Sequence, residues 1–242
     1  MIFFNHLRIL FFILFFSFSS IDAIQFNLIT TFYNETNIER QREYKRCILE
    51  NIKNKFIKKI YLFYENPKKV EDFLKNDKIK IISIKKRPTF RHYFDFVNTI
   101  LNKELVIIAN TDIFFDETLG LLENYSFKNF VFALTRYNVP EYNGKWKRHN
   151  LSFDSWIFKA PLNVKTHAII GTFISDLMVN LDLLKSGIKV INPSLTIKTW
   201  HVHSSDKRNY NKNPKLSSRL WLQIMSLVKL IPFTTLKKVN AF

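Results

Sequence analysis

The regular succession of apolar strands and helices along the first half of the chain constrains the fold most strongly. The pattern predicts strands at 24–32, 60–64, 79–84 and 105–109, with helices at 38–54, 68–75 and 93–102 between them. Strands and helices that alternate in steps of about 25–30 residues are typical of a doubly wound parallel sheet. The sequence therefore predicts an α/β fold with a Rossmann-like, mostly parallel sheet flanked by helices.

The net charge of +17 is unevenly distributed over the 242 residues. Residues 40–91 carry 17 basic and 6 acidic residues, and 207–242 carry eight basic residues and no acidic one, whereas 92–206 is neutral. No helix-turn-helix, zinc-finger or RNA-binding aromatic motif accompanies these basic residues, so nucleic acid is not an expected partner. The single cysteine, Cys47, excludes an intramolecular disulfide framework and a cysteine-rich zinc site.

The chain divides into three predicted segments. Residues 1–23 combine the basic Arg8, an apolar run and the small Ala23, which is the layout of a signal peptide. An uncleaved signal-anchor would look the same, so we expect an exported or secretory-pathway protein, membrane-anchored in the second case. Residues 24–205 form the predicted domain. Residues 206–242 are a basic amphipathic helical tail that lies either on an anionic membrane surface or on the domain.

The central strand of the predicted sheet ends in a polar turn. Leu105–Ala109 is fully apolar and runs directly into Asn110, Thr111 and Asp112. Ligands of open parallel sheets bind at the carboxyl ends of the strands, where the strand order reverses. A carboxylate at that point suits Mg²⁺ or Mn²⁺ together with a diphosphate, although Asp112 could equally be a turn residue.

Two further groups of polar residues extend this hypothesis. His201 and His203 flank Trp200, and alternation along a strand places both imidazoles on one face, where they could bind a metal ion or lie at the surface. Asp154 lies in a short polar-aromatic segment, and Asp176 begins a predicted helix, where a first-turn role that complements the helix dipole is the alternative.

Taken in order, seven short motifs resemble nucleotide-sugar glycosyltransferases of the GT-A fold, in particular family-two-like members. The motifs are 30–36 (TTFYNET), 87–90 (RPTF), 109–113 (ANTDI), 153–156 (FDSW), 171–176 (GTFISD), 192–194 (NPS) and 201–203 (HVH), and they cover about 24–210. The resemblance implies a GT-A-type sheet that binds a nucleoside diphosphate sugar with Mn²⁺ or Mg²⁺.

The resemblance also implies roles for individual residues. Asn110-Thr111-Asp112 looks like the Asp-x-Asp metal element with its first carboxylate replaced by an amide, so Asp112 becomes the principal ligand, with His201 or His203 completing the metal shell. Asp176, or else Asp154, looks like the catalytic base. The candidate donor contacts are Thr31, Tyr33, Glu35, Arg87 and Asn110, with Lys198 as a further diphosphate contact. Trp156 is a candidate for stacking against an acceptor sugar, or else a core aromatic.

We therefore predict a metal-assisted glycosyltransferase that moves a sugar from a nucleoside diphosphate sugar to an acceptor hydroxyl, with an Asp as general base. The alternative is a catalytically inactive sugar- or nucleotide-binding module with the same fold, since Asn110 weakens the metal element. A phosphatase that uses Asp112 ranks last, because the chain lacks the Asp-x-Asp-x-Thr order of phospho-aspartate enzymes.

Overall fold

The computed structural model describes residues 23–67, 69–123, 125–139, 152–203, 222, 226 and 229–236. The predicted leader lies outside these residues except for Ala23, and so does most of the predicted tail. No helix among the described residues is long and apolar enough to cross a membrane.

Ten strands and three α-helices make up the described part of the chain. The strands are β1 (Phe26–Phe32), β2 (Ile57–Glu65), β3 (Ile79–Ile84), β4 (Leu105–Ala109), β5 (Ile113–Phe115), β6 (Phe130–Leu134), β7 (Tyr137–Asn138), β8 (Ser155–Lys159), β9 (Lys189–Ile191) and β10 (Thr199–His201). The helices are α1 (Ile38–Lys53), α2 (Phe90–Ile100) and α3 (Ser175–Lys185), and short 3₁₀ turns occur at Asp72–Leu74 and Glu117–Leu122.

The strands form two sheets. The main sheet has the order β3-β2-β1-β4-β8-β6-β9, and β8 is the strand that runs antiparallel to both of its neighbours. A small sheet has the order β5-β10-β7. From β1 the chain adds β2 and β3 on one side and then returns to place β4 on the other side of β1. The strand order therefore reverses between β1 and β4.

Both faces of the main sheet are covered, which explains why its central strands are apolar throughout. Every residue of β1 is buried. Tyr44 and Ile48 of α1 pack in the hydrophobic cluster on one face, and Tyr93 and Phe94 of α2 pack in the cluster on the other face. A sheet with two covered faces is the expected setting for such strands. The predicted α/β class with a mostly parallel, helix-flanked sheet is confirmed.

The structure differs from the sequence prediction in its shorter elements. The helix predicted at 68–75 is wrong over the described residues, which hold only the 3₁₀ turn at Asp72–Leu74. The sequence pattern at 190–191 and 197–201 predicts a last pair of neighbouring strands, but these strands lie in different sheets, because β9 pairs with β6 whereas β10 pairs with β5 and β7. These elements have two or three residues each, and distant partners rather than local pattern determine them.

The described piece of the tail packs against the domain. Ile231 and Leu236 are buried, each in one of the two hydrophobic clusters. The N–H of Thr234 donates to the carbonyl oxygen of Asn192 at 2.9 Å. Of the two alternatives for the tail, these residues correspond to docking on the domain.

Candidate active site

The carboxyl ends of β1 and β4 are joined by a pair of threonines at the point where the strand order reverses. Thr111 Oγ1 donates to the carbonyl oxygen of Thr31 at 2.9 Å and lies 3.0 Å from Thr31 Oγ1. Both side chains are buried. Thr31, predicted as a donor contact, therefore links the carboxyl end of β1 to the turn that contains Asp112.

Asp112, His201 and His203 converge beside this turn. Their potential ligand atoms all lie within 4.8 Å of one another. His201 Nε2 is 3.1 Å from Asp112 Oδ2, and the two imidazole rings stack with centroids 5.2 Å apart. The small sheet brings them together, because β10 pairs antiparallel with β5, immediately after Asp112, and places His201 opposite Ile113.

Each imidazole has a feature that fits a metal ligand. Burial and the nearby charge of Arg40 lower the pKa of His203 to about 4, so its ring is neutral at pH 7. His203 Nε2 is buried and has no hydrogen-bond partner among the described residues. Asn138 Oδ1 lies 3.1 Å from His201 Nδ1, a contact that orients the ring so that its Nε2 faces Asp112.

Arg40, in the first turn of α1, lies against this cluster. Its Nη2 donates to Asp112 Oδ2, and its Nη1 lies 2.8 Å from His203 Nδ1 and 2.6 Å from Glu43 Oε2. Its Nε donates to Tyr44 Oη at 3.1 Å. Burial would raise the pKa of Asp112, but the His201 ring and the Arg40 guanidinium outweigh it and hold the pKa well below its usual value.

Asp154 is the centre of a buried network next to the turn. Its Oδ1 accepts from Asn110 Nδ2 at 3.1 Å and from Arg136 Nη1 at 2.9 Å. Its Oδ2 is buried without a partner among the described residues. The amide that replaces the first acid of the predicted metal element thus binds another carboxylate. Asp154 is paired with a guanidinium and serves to position Asn110 and Arg136.

Asp176 is a partly buried carboxyl group in the first turn of α3. Its Oδ2 accepts from the N–H of Phe153 at 2.9 Å. Burial raises the pKa of Asp176 to about 7, and the charge of Asp154 adds to this rise. The Arg136 guanidinium donates to Asp154, and although burial would lower the pKa of Arg136, the charges of Asp154, Asp112 and Asp176 raise it.

The remaining predicted donor contacts lie around the start of α1. Tyr33 Oη is 2.5 Å from Tyr44 Oη, and the Arg87 guanidinium lies 5.5 Å from the centre of the Tyr33 ring. Glu35 Oε1 accepts from the N–H of Asn37, so Glu35 also orders the turn that precedes the helix. Lys198 lies elsewhere: its Nζ donates to the carbonyl oxygens of Ser194 and Leu195.

Trp156 does not occupy the position that an acceptor contact needs. Its ring is 1% exposed, packs edge-on against Phe90 at 4.8 Å and donates its Nε1–H to Asn180 at 2.8 Å. The ring therefore has no face open to a sugar. Among the two sequence interpretations, the core aromatic corresponds to this position, because the antiparallel strand β8 carries Trp156 into the interior.

Three residues of the site have no counterpart in the sequence prediction: Arg40, Arg136 and Asn138. Arg40 could have been predicted as a site residue, since it lies in the first turn of the first helix, at the edge where ligands of such sheets bind. Arg136 precedes the two-residue strand β7 and Asn138 ends it. This strand has no signal in the sequence, so the pattern marked neither residue.

The comparisons with known proteins identify similar folds. A mannosyltransferase, PcManGT from Pyrobaculum calidifontis, solved in complex with GDP-Man and Mn²⁺, superposes with a TM-score of 0.51 at 11% identity, over 85% of this chain and 69% of its own. The apo form of the glycosyltransferase GlyE from Streptococcus pneumoniae TIGR4 gives a TM-score of 0.42 at 9% identity, over 85% of this chain and 62% of its own. No protein-family profile and no curated protein sequence matches the chain.

Proposed function

We propose that this protein is a glycosyltransferase that moves a sugar from a nucleoside diphosphate sugar to an acceptor hydroxyl, assisted by Mn²⁺ or Mg²⁺. The observation that carries the proposal is the convergence of Asp112, His201 and His203 at the point where the strand order reverses. Such points bind nucleotides in open α/β sheets. The fold is also that of a mannosyltransferase solved with GDP-Man and Mn²⁺.

The chemistry of the three side chains fits a divalent cation. One carboxylate oxygen and two imidazole nitrogens form a mixed oxygen and nitrogen set, which suits Mn²⁺ better than Mg²⁺. The buried, unpartnered His203 Nε2 is a polar atom that a ligand would satisfy. A bound cation would stabilise the negative charge that develops on the departing nucleoside diphosphate.

The chain's own residues supply the other requirements of the reaction. We propose that Asp176 is the general base, because a carboxyl group with a pKa of about 7 is poised to accept a proton from the acceptor hydroxyl near neutral pH. Asp154 holds Asn110 and Arg136 in place rather than taking the proton. The proposed donor contacts remain Thr31, Tyr33, Glu35 and Arg87.

A ligand screen tests the proposal. The protein is heated with Mn²⁺ and with uridine, guanosine or cytidine diphosphate sugars, and the shift of its melting temperature is measured. We expect at least one donor to stabilise the protein in a manner that needs Mn²⁺ and Asp112, so that Asp112→Asn removes the shift. The matched control is Asp95→Asn, whose exposed carboxylate pairs with Arg91 on the same helix. If none of the donors shifted the melting temperature, the proposal would be contradicted.

The inactive binding module remains the second candidate. The observation that favours it is the pairing of Asp112 with Arg40 and His201, which already satisfies the carboxylate. Donor binding without release of nucleoside diphosphate, across the same panel of sugars, would support this candidate over the enzyme.

We further propose that the protein works in the secretory pathway or outside the cell, close to a membrane. The apolar sequence at 1–20 supports this location, as does the charge at the amino ends of the strands. Lys103, Lys128 and Lys159 surround a cleft of about 790 Å³ there, and Ile24, at the start of the described chain, lines the same cleft.

A further inference from the structure

The guanidinium of Arg40 contacts two of the three side chains that would bind a divalent cation. One arm donates to Asp112 Oδ2, and the other lies 2.8 Å from His203 Nδ1. Both side chains belong to the cluster with ligand atoms within 4.8 Å of one another. The position of a cation in this site is thus covered by a positive group of the chain itself.

The geometry points to an exchange: Arg40 holds the metal site in the ligand-free protein and, when a metal ion enters, turns to bind the diphosphate of the donor. This inference rests on the proposed function and adds a donor-binding residue that couples the two ligands. Arg40 would contact the diphosphate directly, whereas Asp112, His201 and His203 would bind the cation.

Electrostatics requires Arg40 to move when a metal ion binds. A guanidinium cannot lose its proton in a protein, so it repels a divalent cation bound to the same carboxylate oxygen. Two like charges a few ångströms apart repel each other more strongly in a partly buried site than in water, because the effective dielectric constant is lower there. The His203 ring adds a second conflict, because an N–H of Arg40 directed at Nδ1 leaves the proton of the neutral ring on Nε2.

The place to which Arg40 would turn lies at the beginning of α1. Because α1 follows β1, its amino end stands at the carboxyl edge of the sheet, where the helix dipole and free N–H groups favour phosphate. Contacts with Tyr44 would hold the Arg40 side chain near this position while its guanidinium turns: its Nε donates to Tyr44 Oη, and its guanidinium lies 4.8 Å from the centre of the Tyr44 ring. A planar guanidinium matches phosphate oxygens in a bidentate manner. Metal ion and diphosphate should therefore bind cooperatively.

Binding of Mn²⁺ to the full-length protein, measured by electron paramagnetic resonance with and without GDP or UDP, tests this inference. We expect the nucleotide to tighten Mn²⁺ binding to the wild type by at least about tenfold, since its diphosphate would draw the Arg40 guanidinium away from the metal site. Arg40→Gln should bind Mn²⁺ at least about tenfold more tightly than wild type without nucleotide, and should lose most of the enhancement by nucleotide.

Two variants complete the design. Arg42→Gln removes an exposed charge from the same helix and should behave as wild type. Arg40→Lys should lie between wild type and Arg40→Gln, because an ammonium keeps the charge but cannot contact Asp112 and His203 together; it also serves if Arg40→Gln does not fold.

The outcomes separate this inference from the proposed function. Equal or weaker Mn²⁺ binding by folded Arg40→Gln, with wild-type binding that still needs Asp112, would overturn the exchange and leave the glycosyltransferase proposal standing. Failure of every variant to bind Mn²⁺, with or without nucleotide, would overturn both.

Discussion

At the scale of single residues, the site separates two carboxylates by their environments. Asp112 lies between His201 and Arg40, which hold its pKa well below the usual value, so it stays ionised. Asp176 is desolvated and near another acid, and its pKa is about 7. Two carboxyl groups with pKa values driven apart in this way can take different roles: the one with the low pKa stays an anion that can bind a metal ion, and the other can act as an acid or base.

The raised pKa of Asp176 predicts how stability depends on pH. The unfolded chain releases this proton near pH 4 and the folded protein near pH 7, so the folded protein binds more protons between these values and loses stability as pH rises through them. Asp176→Asn removes this contribution. We compare the free energy of unfolding of the variant with that of wild type at each pH. The difference should be more favourable to the variant at pH 8 than at pH 4, by about 1–3 kcal/mol.

Urea denaturation of both proteins at pH 4, 6 and 8 measures this difference. Asp182→Asn, in the same helix, is the matched control and should follow wild type. The same slope in wild type and in Asp176→Asn would show that Asp176 has an ordinary pKa.

The role of Asp176 as a base gives a separate prediction for catalysis. With a pKa of about 7, only the ionised form accepts a proton, so kcat/KM should rise with pH and level off above about pH 7. Asp176→Asn should lower kcat by at least about a hundredfold, since general bases contribute that much. A pH profile that stays flat between pH 5.5 and 8.5 would assign the base to another group.

His203 offers a test of the metal site that needs no activity. Removal of one ligand or of a group that orients it typically lowers metal affinity by about 10–100-fold. His203→Ala should do so for Mn²⁺ in a calorimetric titration, whereas His167→Ala, which removes an exposed imidazole, should leave the affinity unchanged. Unchanged affinity in His203→Ala would exclude this ring from the site.

At the scale of elements, α1 begins at Ile38, as the sequence predicted. Asn37 Oδ1 accepts from the N–H of Arg40 at 3.0 Å and caps the helix. The same cap fixes the backbone of the residue that lies against Asp112. Local sequence was sufficient here, because a cap involves residues three positions apart.

Substitution of this cap gives a prediction for the whole helix. Asn37→Ala should lower the free energy of unfolding by about 1 kcal/mol, because one of the first N–H groups of the helix loses its acceptor. Asn37→Ser retains a cap oxygen and should stay within a few tenths of a kcal/mol of wild type. Urea denaturation measures the stability of both variants. An Asn37→Ala variant as stable as wild type would show that the cap does not stabilise the protein.

The small sheet could not be predicted in the same way. β5, β7 and β10 have two or three residues each, and the pairing of β5 with β10 joins positions more than 80 residues apart in the chain. The resemblance implied that His201 or His203 joins Asp112 at one metal site, but no local pattern predicted the pairing of β5 with β10 that brings His201 to Asp112. That contact, like the one between Arg40 and Asp112, depends on tertiary pairing across the site.

At the scale of the whole molecule, the two edges of the main sheet carry different chemistry. The candidate site occupies the carboxyl edge between β1 and β4. The amino edge carries the cleft bordered by Lys103, Lys128 and Lys159, all of them exposed, together with Ile24. The chain leads from the apolar segment 1–20 into this edge. The three lysines outnumber the two acids of the cleft, Glu104 and Glu123, and we propose this surface as the one that contacts anionic lipid.

This arrangement predicts lipid-dependent binding. Replacement of Lys103, Lys128 and Lys159 by Gln should weaken the preference of the full-length protein for liposomes with anionic lipid over neutral liposomes by at least about tenfold, since each basic residue contributes about 1 kcal/mol near such a surface. The control replaces Lys69, Lys85 and Lys86, which follow the carboxyl ends of β2 and β3. Co-sedimentation measures both, and an equal loss in the two variants would show that total charge, not this edge, governs binding.

The central claim is that the cluster at Asp112 supports glycosyl transfer, and release of nucleoside diphosphate from a donor tests it most directly. The full-length protein is incubated with Mn²⁺ and a panel of uridine, guanosine and cytidine diphosphate sugars, before and after removal of the metal by a chelator. We expect release from at least one donor, loss of release with the chelator and in Asp112→Asn, and retained release in Asp95→Asn. Release that continues unchanged in Asp112→Asn, or no release from any donor, would contradict it.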